Sequence, residues 1–184
     1  MRKLLLGLSL VPFFGMSQYI EDFEAFNAGE YIAVKDSNWT TWSGMTGGAE
    51  DAQIDTIHAL SGTNALYFNS TNINGGPQDL ILKFGDSYNT GVFTFEKALF
   101  VESGKGAYLN FQADETVGTS WALSANLGED STFVLYDDID TYYAGTYPVD
   151  TWFTFKVVVQ LNTNSWEGFI DNTSIGTFQL NDNR

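Results

Sequence analysis

From Trp152 to Leu161 the chain alternates strictly. Phe153, Phe155, Val157, Val159 and Leu161 are interleaved with Trp152, Thr154, Lys156, Val158 and Gln160. Successive side chains of an extended strand point to opposite faces, so one face of this run can enter a core while the other looks away from it. A helix would scatter the same residues around its circumference. Ala107-Tyr108-Leu109-Asn110-Phe111-Gln112-Ala113 repeats the pattern. Shorter runs at 65–69, 79–85, 92–101, 121–127, 132–136 and 166–178 are rich in β-branched and aromatic residues, which suit a pleated, half-buried surface.

Turn chemistry separates the runs. Asn74-Gly75-Gly76-Pro77, Ser103-Gly104-Lys105-Gly106, Gly128-Glu129-Asp130 and Asn162-Thr163-Asn164 favour tight reversals. No segment after residue 17 keeps a helical apolar period for three turns. Hydrophobic residues make up 43% and charged residues 17%, a composition that folds rather than stays disordered. At 184 residues the chain suits one domain. The expectation is an all-β, two-sheet antiparallel β-sandwich over residues 18–184.

The first 17 residues read as an address. Arg2 and Lys3 precede an apolar run from Leu4 to Phe14, and Gly15 and Ser17 are small residues at the −3 and −1 positions of a cut after Ser17. The run is shorter than the roughly 20 residues a membrane span needs. Residues 1–17 are therefore expected to be a signal peptide that sends the chain out of the cell or to its surface. Of 8 basic residues, removal of these two leaves 6 against 23 acids, or −17.

That acidity argues against phosphate backbones and anionic lipid surfaces as partners, so neither nucleic acid binding nor membrane insertion is expected. There is no Cys and one His, which removes disulfides, thiolate metal sites and any site built on two imidazoles.

Several motifs, taken in order, resemble the concanavalin A-like lectin/glucanase superfamily, the jelly-roll group that includes laminin G-like domains. They are closest in character to secreted Bacteroidetes-type modules. The motifs are Glu21-Asp22-Phe23-Glu24, Trp39-Thr40-Thr41-Trp42-Ser43-Gly44, Glu50-Asp51-Ala52 and Ser61-Gly62-Thr63-Asn64-Ala65-Leu66. Gly104-Lys105-Gly106-Ala107-Tyr108-Leu109-Asn110-Phe111 and Tyr147-Pro148-Val149-Asp150-Thr151-Trp152-Phe153-Thr154-Phe155-Lys156 follow. The resemblance implies a jelly roll. It also implies a closing strand beyond Arg184, so that 18–184 would be a domain truncated at its C-terminus.

The glucanase branch of that superfamily carries E-x-D-x-x-E on one strand, which sets two carboxylates on one face. This chain lacks it, and also lacks a nucleophile triad motif and H-E-x-x-H. Its nearest acidic alternation, Asp138-Ile139-Asp140 after Asp137, reads as a turn-prone loop, and His58 as a packed or surface residue. No catalytic residue is assigned. No cofactor is expected beyond a structural calcium, for which Glu21, Asp22 and Glu24, with Glu50 and Asp51 nearby and Asp171 approaching from the last strand, are the candidates.

Glycan binding, which the resemblance implies, ordinarily rests on aromatic platforms. Aromatic rings stack on sugar faces, and amides bond vicinal hydroxyls. The candidates fall in two places. One is a polar sheet face, concave in a jelly roll, carrying Tyr108, Asn110 and Gln112 with Ser124, Asn126, Tyr136 and Lys156 on neighbouring runs. The other is a set of loops carrying Trp39 and Trp42, and Tyr142 and Tyr143 with Tyr147. Trp152 is poised between core and surface, whereas Trp121 and Trp166 align with apolar neighbours and are expected in the core. The leading reading is a secreted, non-catalytic module that binds carbohydrate or mediates cell-surface adhesion. The alternatives are a glycoside hydrolase or lyase of the same fold, and a structural spacer of a larger surface protein.

Overall fold

The computed structural model describes residues 19–70, 72, 75–85, 87–114 and 116–179. The expected signal peptide at 1–17 lies outside the described residues. Strands account for 44% of the structure and helix for 3%. Among the described residues no helix is long and apolar enough to cross a membrane.

In chain order the elements are α1 (Ile32–Lys35), β1 (Trp39–Thr41), β2 (Gln53–Asp55), β3 (Ala65–Tyr67), β4 (Leu80–Leu82), β5 (Val92–Phe100) and β6 (Ala107–Gln112). They continue with β7 (Trp121–Leu127), β8 (Thr132–Tyr136), β9 (Thr141–Thr146), β10 (Trp152–Gln160), β11 (Ser165–Ile170) and β12 (Thr173–Gln179). One four-stranded antiparallel sheet runs β12-β11-β10-β5 and the other β6-β7-β8-β9. The chain leaves the first sheet after β5, builds the whole second sheet as a meander, and returns to pair β10 with β5. The fold is a two-sheet antiparallel β-sandwich.

The alternation of β10 decides the packing. Phe153, Phe155 and Val157 are buried with Leu123, Ala125 and Leu127 of β7, Phe133 and Leu135 of β8, and Trp166 of β11. The sheets meet where the Phe133 and Phe155 rings lie 5.4 Å apart, nearly edge to face. Trp166 is in the core as expected, although its buried indole N–H meets no acceptor among the described residues. The apolar run at 166–178 is two strands. Asp171 and Asn172, at φ 48° and 61°, turn the chain between β11 and β12. Asp and Asn tolerate that left-handed backbone, so a two-residue hairpin forms inside what looked like one strand.

A second cluster lies under the N-terminal elements. Ile32, Ala33, Trp39 and Ile54 are buried there, with Phe23, Phe26, Leu66, Leu80 and Leu82 packed on them. The short pairs β1–β4 and β2–β3 cover this cluster. Asp51, 1% exposed, holds it together. Its Oδ1 accepts from the amides of Ala33 and Ala52 at 3.2 and 2.9 Å, and its Oδ2 from Gly47 at 2.8 Å. A buried carboxylate is tolerable only when donors replace its water in this way. Asn64 sews the chain's start to this layer by donating to the carbonyls of Phe23 and Phe26 at 3.1 and 2.8 Å.

Candidate functional site

The second sheet turns one row of side chains inward and another outward. Leu109 and Phe111 of β6, Leu123, Ala125 and Leu127 of β7, and Phe133 and Leu135 of β8 pack into the core. By alternation Tyr108, Asn110, Gln112, Ser124, Asn126, Val134 and Tyr136 share the outer face. The register sets Tyr108 opposite Asn126, Asn110 opposite Ser124, and Ser124 opposite Tyr136. The structure therefore brings five of the expected residues, Tyr108, Asn110, Gln112, Asn126 and Tyr136, to one surface.

Two phenols cover one end of that surface. Tyr108 is 51% exposed and its Oη lies 3.0 Å from Ser124 Oγ. Ser124 is only 5% exposed, although it faces away from the core. Burial, followed by the nearby Tyr108, pushes the Tyr136 phenol above its usual pKa range, while a hydrogen bond with Ser124 opposes the shift. The Tyr136 phenol is thus a neutral hydrogen-bonding group at physiological pH.

A bulge extends the face. The register slips between Phe111 and Gln112, so that Trp121 stands opposite Gln112. Strict alternation would have sent Trp121 inward with Leu123. The extra residue re-aims it, as bulges do, and it is half-buried rather than a core residue. Trp42, the residue after β1, stacks on it with ring centroids 6.2 Å apart and planes 25° from parallel. Trp42 is 41% exposed. Gln112 Oε1 accepts the Gly118 amide at 2.7 Å, folding the β6–β7 hairpin loop beneath the Trp42 ring. From Gln112 to Tyr108 is four residues of strand, or about 13 Å. The outer face is thus a line: an indole pair and an amide at one end, Asn110 next, and a phenol pair over Ser124 at the other. Every side chain named in it is uncharged, in a chain of net charge −15.

Other candidates are elsewhere. Lys156 and Trp152 belong to β10, in the opposite sheet, and do not neighbour Tyr108. Lys156 Nζ donates to Asn172 Oδ1 at 2.7 Å, lies 3.7 Å from Glu96, and covers the Phe169 ring at 4.8 Å. Trp152 meets Phe100 edge-on at 5.7 Å, and His58 stacks on the same ring at 4.1 Å. Tyr142 and Tyr143 are not in a loop but on β9, where both pack against the core. Tyr143 stands opposite Leu135. Tyr142 lies 5.3 Å from the Trp166 ring and donates to Asp137 Oδ2 at 2.7 Å. Tyr147 is buried and shares its one hydroxyl proton between the carbonyls of Gly128 and Lys105 at 2.8 and 3.2 Å, pinning two loops together. Trp39 is buried, with its indole N–H donating to Tyr19 Oη at 3.0 Å.

The acids act as backbone caps. Asp137 Oδ1 accepts the amides of Ile139 and Asp140, both at 2.7 Å, and so closes its own turn. Glu21 and Asp22 accept the amides of Phe23 and Glu24. Glu24 accepts from Asn64 at 2.8 Å and Thr63 at 2.9 Å, and these bonds hold its carboxyl below the usual range. Asp171 instead takes the Thr154 amide at 2.9 Å, at the hairpin of the other sheet. The calcium candidates Glu21, Asp22, Glu24 and Asp171 are therefore not assembled. Among the described residues no three acidic or His side chains converge as a metal would need.

The arrangement defines a class: a two-sheet antiparallel β-sandwich with an uncharged aromatic and amide strip on one outer face. No family model, curated protein or solved structure matches the chain.

Proposed function

We propose that this chain is a non-catalytic carbohydrate-binding module, of the concanavalin A-like kind its motif order resembles, acting outside the cell or at its surface. The observation that carries this reading is the convergence of Trp42, Trp121, Gln112, Asn110 and Tyr108 on one line. The rings offer apolar surface for the C–H faces of sugars, and the side-chain amides offer donors and acceptors to hydroxyls along the same line. An uncharged strip in an acidic chain suits a neutral glycan, because an acidic one would meet the repulsion of the surrounding surface without a basic partner.

Calorimetry against a panel of neutral and acidic polysaccharides tests it. Binding to a neutral polymer should fall roughly five- to thirtyfold in Trp42→Ala and in Tyr108→Ala, each variant losing about 1–2 kcal/mol. Asn110→Ala should lose about 1 kcal/mol. Binding that survives the Trp42→Ala/Tyr108→Ala double change would remove the strip from consideration. Absence of binding to any polymer would favour the structural-spacer reading, and release of reducing ends would favour an enzyme.

A further inference from the structure

The β2–β3 ribbon has one face in the N-terminal cluster and the other on a cavity. Ile54 is buried and Leu66 packs in the same cluster. Alternation therefore turns Gln53 and Asp55 of β2, and Tyr67 of β3 with Asn69 beyond its end, to the opposite side. The register sets Gln53 directly across from Tyr67. These four residues line a cavity of about 340 Å³, which Gly29 and Gln78 complete from two other segments. Its walls are held in place. Gln53 Nε2 donates to the Gly29 carbonyl at 2.9 Å. Gln78 accepts the Asn69 backbone amide on its Oε1 at 2.6 Å and donates to the Asp51 carbonyl at 3.3 Å. Asp55 Oδ1 accepts the Ile57 amide at 2.6 Å. Among the described residues, the Tyr67 hydroxyl, the Asn69 side-chain amide, Gln53 Oε1 and Asp55 Oδ2 have no hydrogen-bond partner.

We propose that this cavity is a second binding site, one that takes a single neutral sugar residue. A polyhydroxylated ligand needs donors and acceptors mixed in one place. The cavity supplies both: Asn69 Nδ2 and the Tyr67 hydroxyl donate, Gln53 Oε1 and Asp55 Oδ2 accept, and the Tyr67 ring adds apolar surface for a C–H face. Its volume lies at the lower end of the roughly 300–1,000 Å³ range of small-molecule sites, which suits one ring rather than a chain of them. Among the described residues none that lines it is basic, and Asp55 is acidic, so a uronic acid is disfavoured. Partners already fix Gln53, Asp55 and Gln78, so binding orders few side chains. None of these residues belongs to the outer-face strip, and the site does not depend on it. A free monosaccharide and the terminal residue of a glycan offer the same hydroxyl chemistry.

Amide NMR titration of the isotope-labelled full chain is the test. The probes are glucose, galactose, mannose and xylose, with glucuronic acid and choline as charged counterparts. At least one neutral sugar should shift the amides of Gln53, Asp55, Tyr67 and Asn69, saturating with a Kd in the millimolar range. Asn69→Ala should weaken that binding roughly fivefold. Tyr67→Phe keeps the ring and its packing, and should weaken it by a similar factor through the lost hydroxyl. Methyl glycosides that bind as tightly as the free sugar identify the end of a glycan as the source, and methyl glycosides that do not bind identify the free sugar. Shifts confined to Tyr108 and Asn110 would overturn this site while supporting the strip, so the two readings fail separately. No shift with any neutral sugar, shifts that both variants leave unchanged, or stronger shifts with choline or glucuronic acid would each overturn the proposal as well.

Discussion

Trp42 and Trp121 stack at 6.2 Å, and Gly118 is the residue that lets them do so. Gly118 has a φ of +80°, and a Cβ there would stand 2.9 Å from two Trp42 ring carbons. Gly118→Ala must therefore adopt a left-handed backbone, at a cost of roughly 1–2 kcal/mol, and push the indole aside. Melting should drop by a few degrees. Tryptophan emission should shift to the red as Trp42 leaves its partner, and affinity for a neutral glycan should weaken. Unchanged melting and emission would show that Trp42 is not seated on this loop.

Phe155 tests the sandwich itself. It is fully buried, meets Phe133 of the opposite sheet at 5.4 Å, and faces inward on β10. Phe155→Asp buries an unpaired carboxylate, which costs several kcal/mol. That rivals the whole stability of a domain this size. Expression should yield no soluble folded protein, and the conservative Phe155→Leu should fold with a lower melting point. Circular dichroism and thermal scans of the two variants check this directly.

Lys97 predicts an unusual dependence of stability on pH. Its folded pKa is lowered to about 8, whereas in the unfolded chain it is about 10.4. Below pH 8 both states hold the proton, and the folded state bears the full cost of burying it. Between pH 8 and about 10.4 the unfolded state holds more protons, so stability from this group rises with pH, and above that it levels off. The gain is at most about 3 kcal/mol. Other groups titrate in the same window, so the measurable quantity is the difference from Lys97→Met. That variant should be the more stable below pH 8, and its advantage should shrink as pH rises toward 10.4. Urea midpoints at pH 7, 9 and 10 give the comparison. A constant difference across the series would contradict the assignment.

How much of this was legible beforehand depends on the range over which each feature is decided. Alternation is local, with a period of two, and it marked the inner and outer faces of β6, β8 and β10 from the residues alone. Tyr108, Asn110 and Gln112 were visible as one face for that reason. The same rule applied to Phe93, Phe95, Lys97 and Leu99 points Lys97 inward, opposite Phe155. Alternation sends Trp121 inward, but a single bulge residue reverses the phase, and nothing local to Trp121 announces it. Proximity in sequence groups Glu21, Asp22 and Glu24 as calcium candidates and a jelly roll would bring Asp171 to them, yet each caps backbone amides instead: Glu21 and Asp22 those two residues on, Glu24 those of Thr63 and Asn64, and Asp171 that of Thr154.

The sequence alone determined that the chain makes strands and which side of most of them is apolar. Tertiary structure decided the rest. It placed Lys156 and Trp152 in the sheet opposite Tyr108, drew Tyr142, Tyr143 and Tyr147 into the core, and carried Trp42 from the N-terminal layer onto Trp121. Propensity and alternation act between neighbours along the chain. Which strand pairs with which, and which ring fills the last gap in a core, is settled by close packing among residues far apart in sequence.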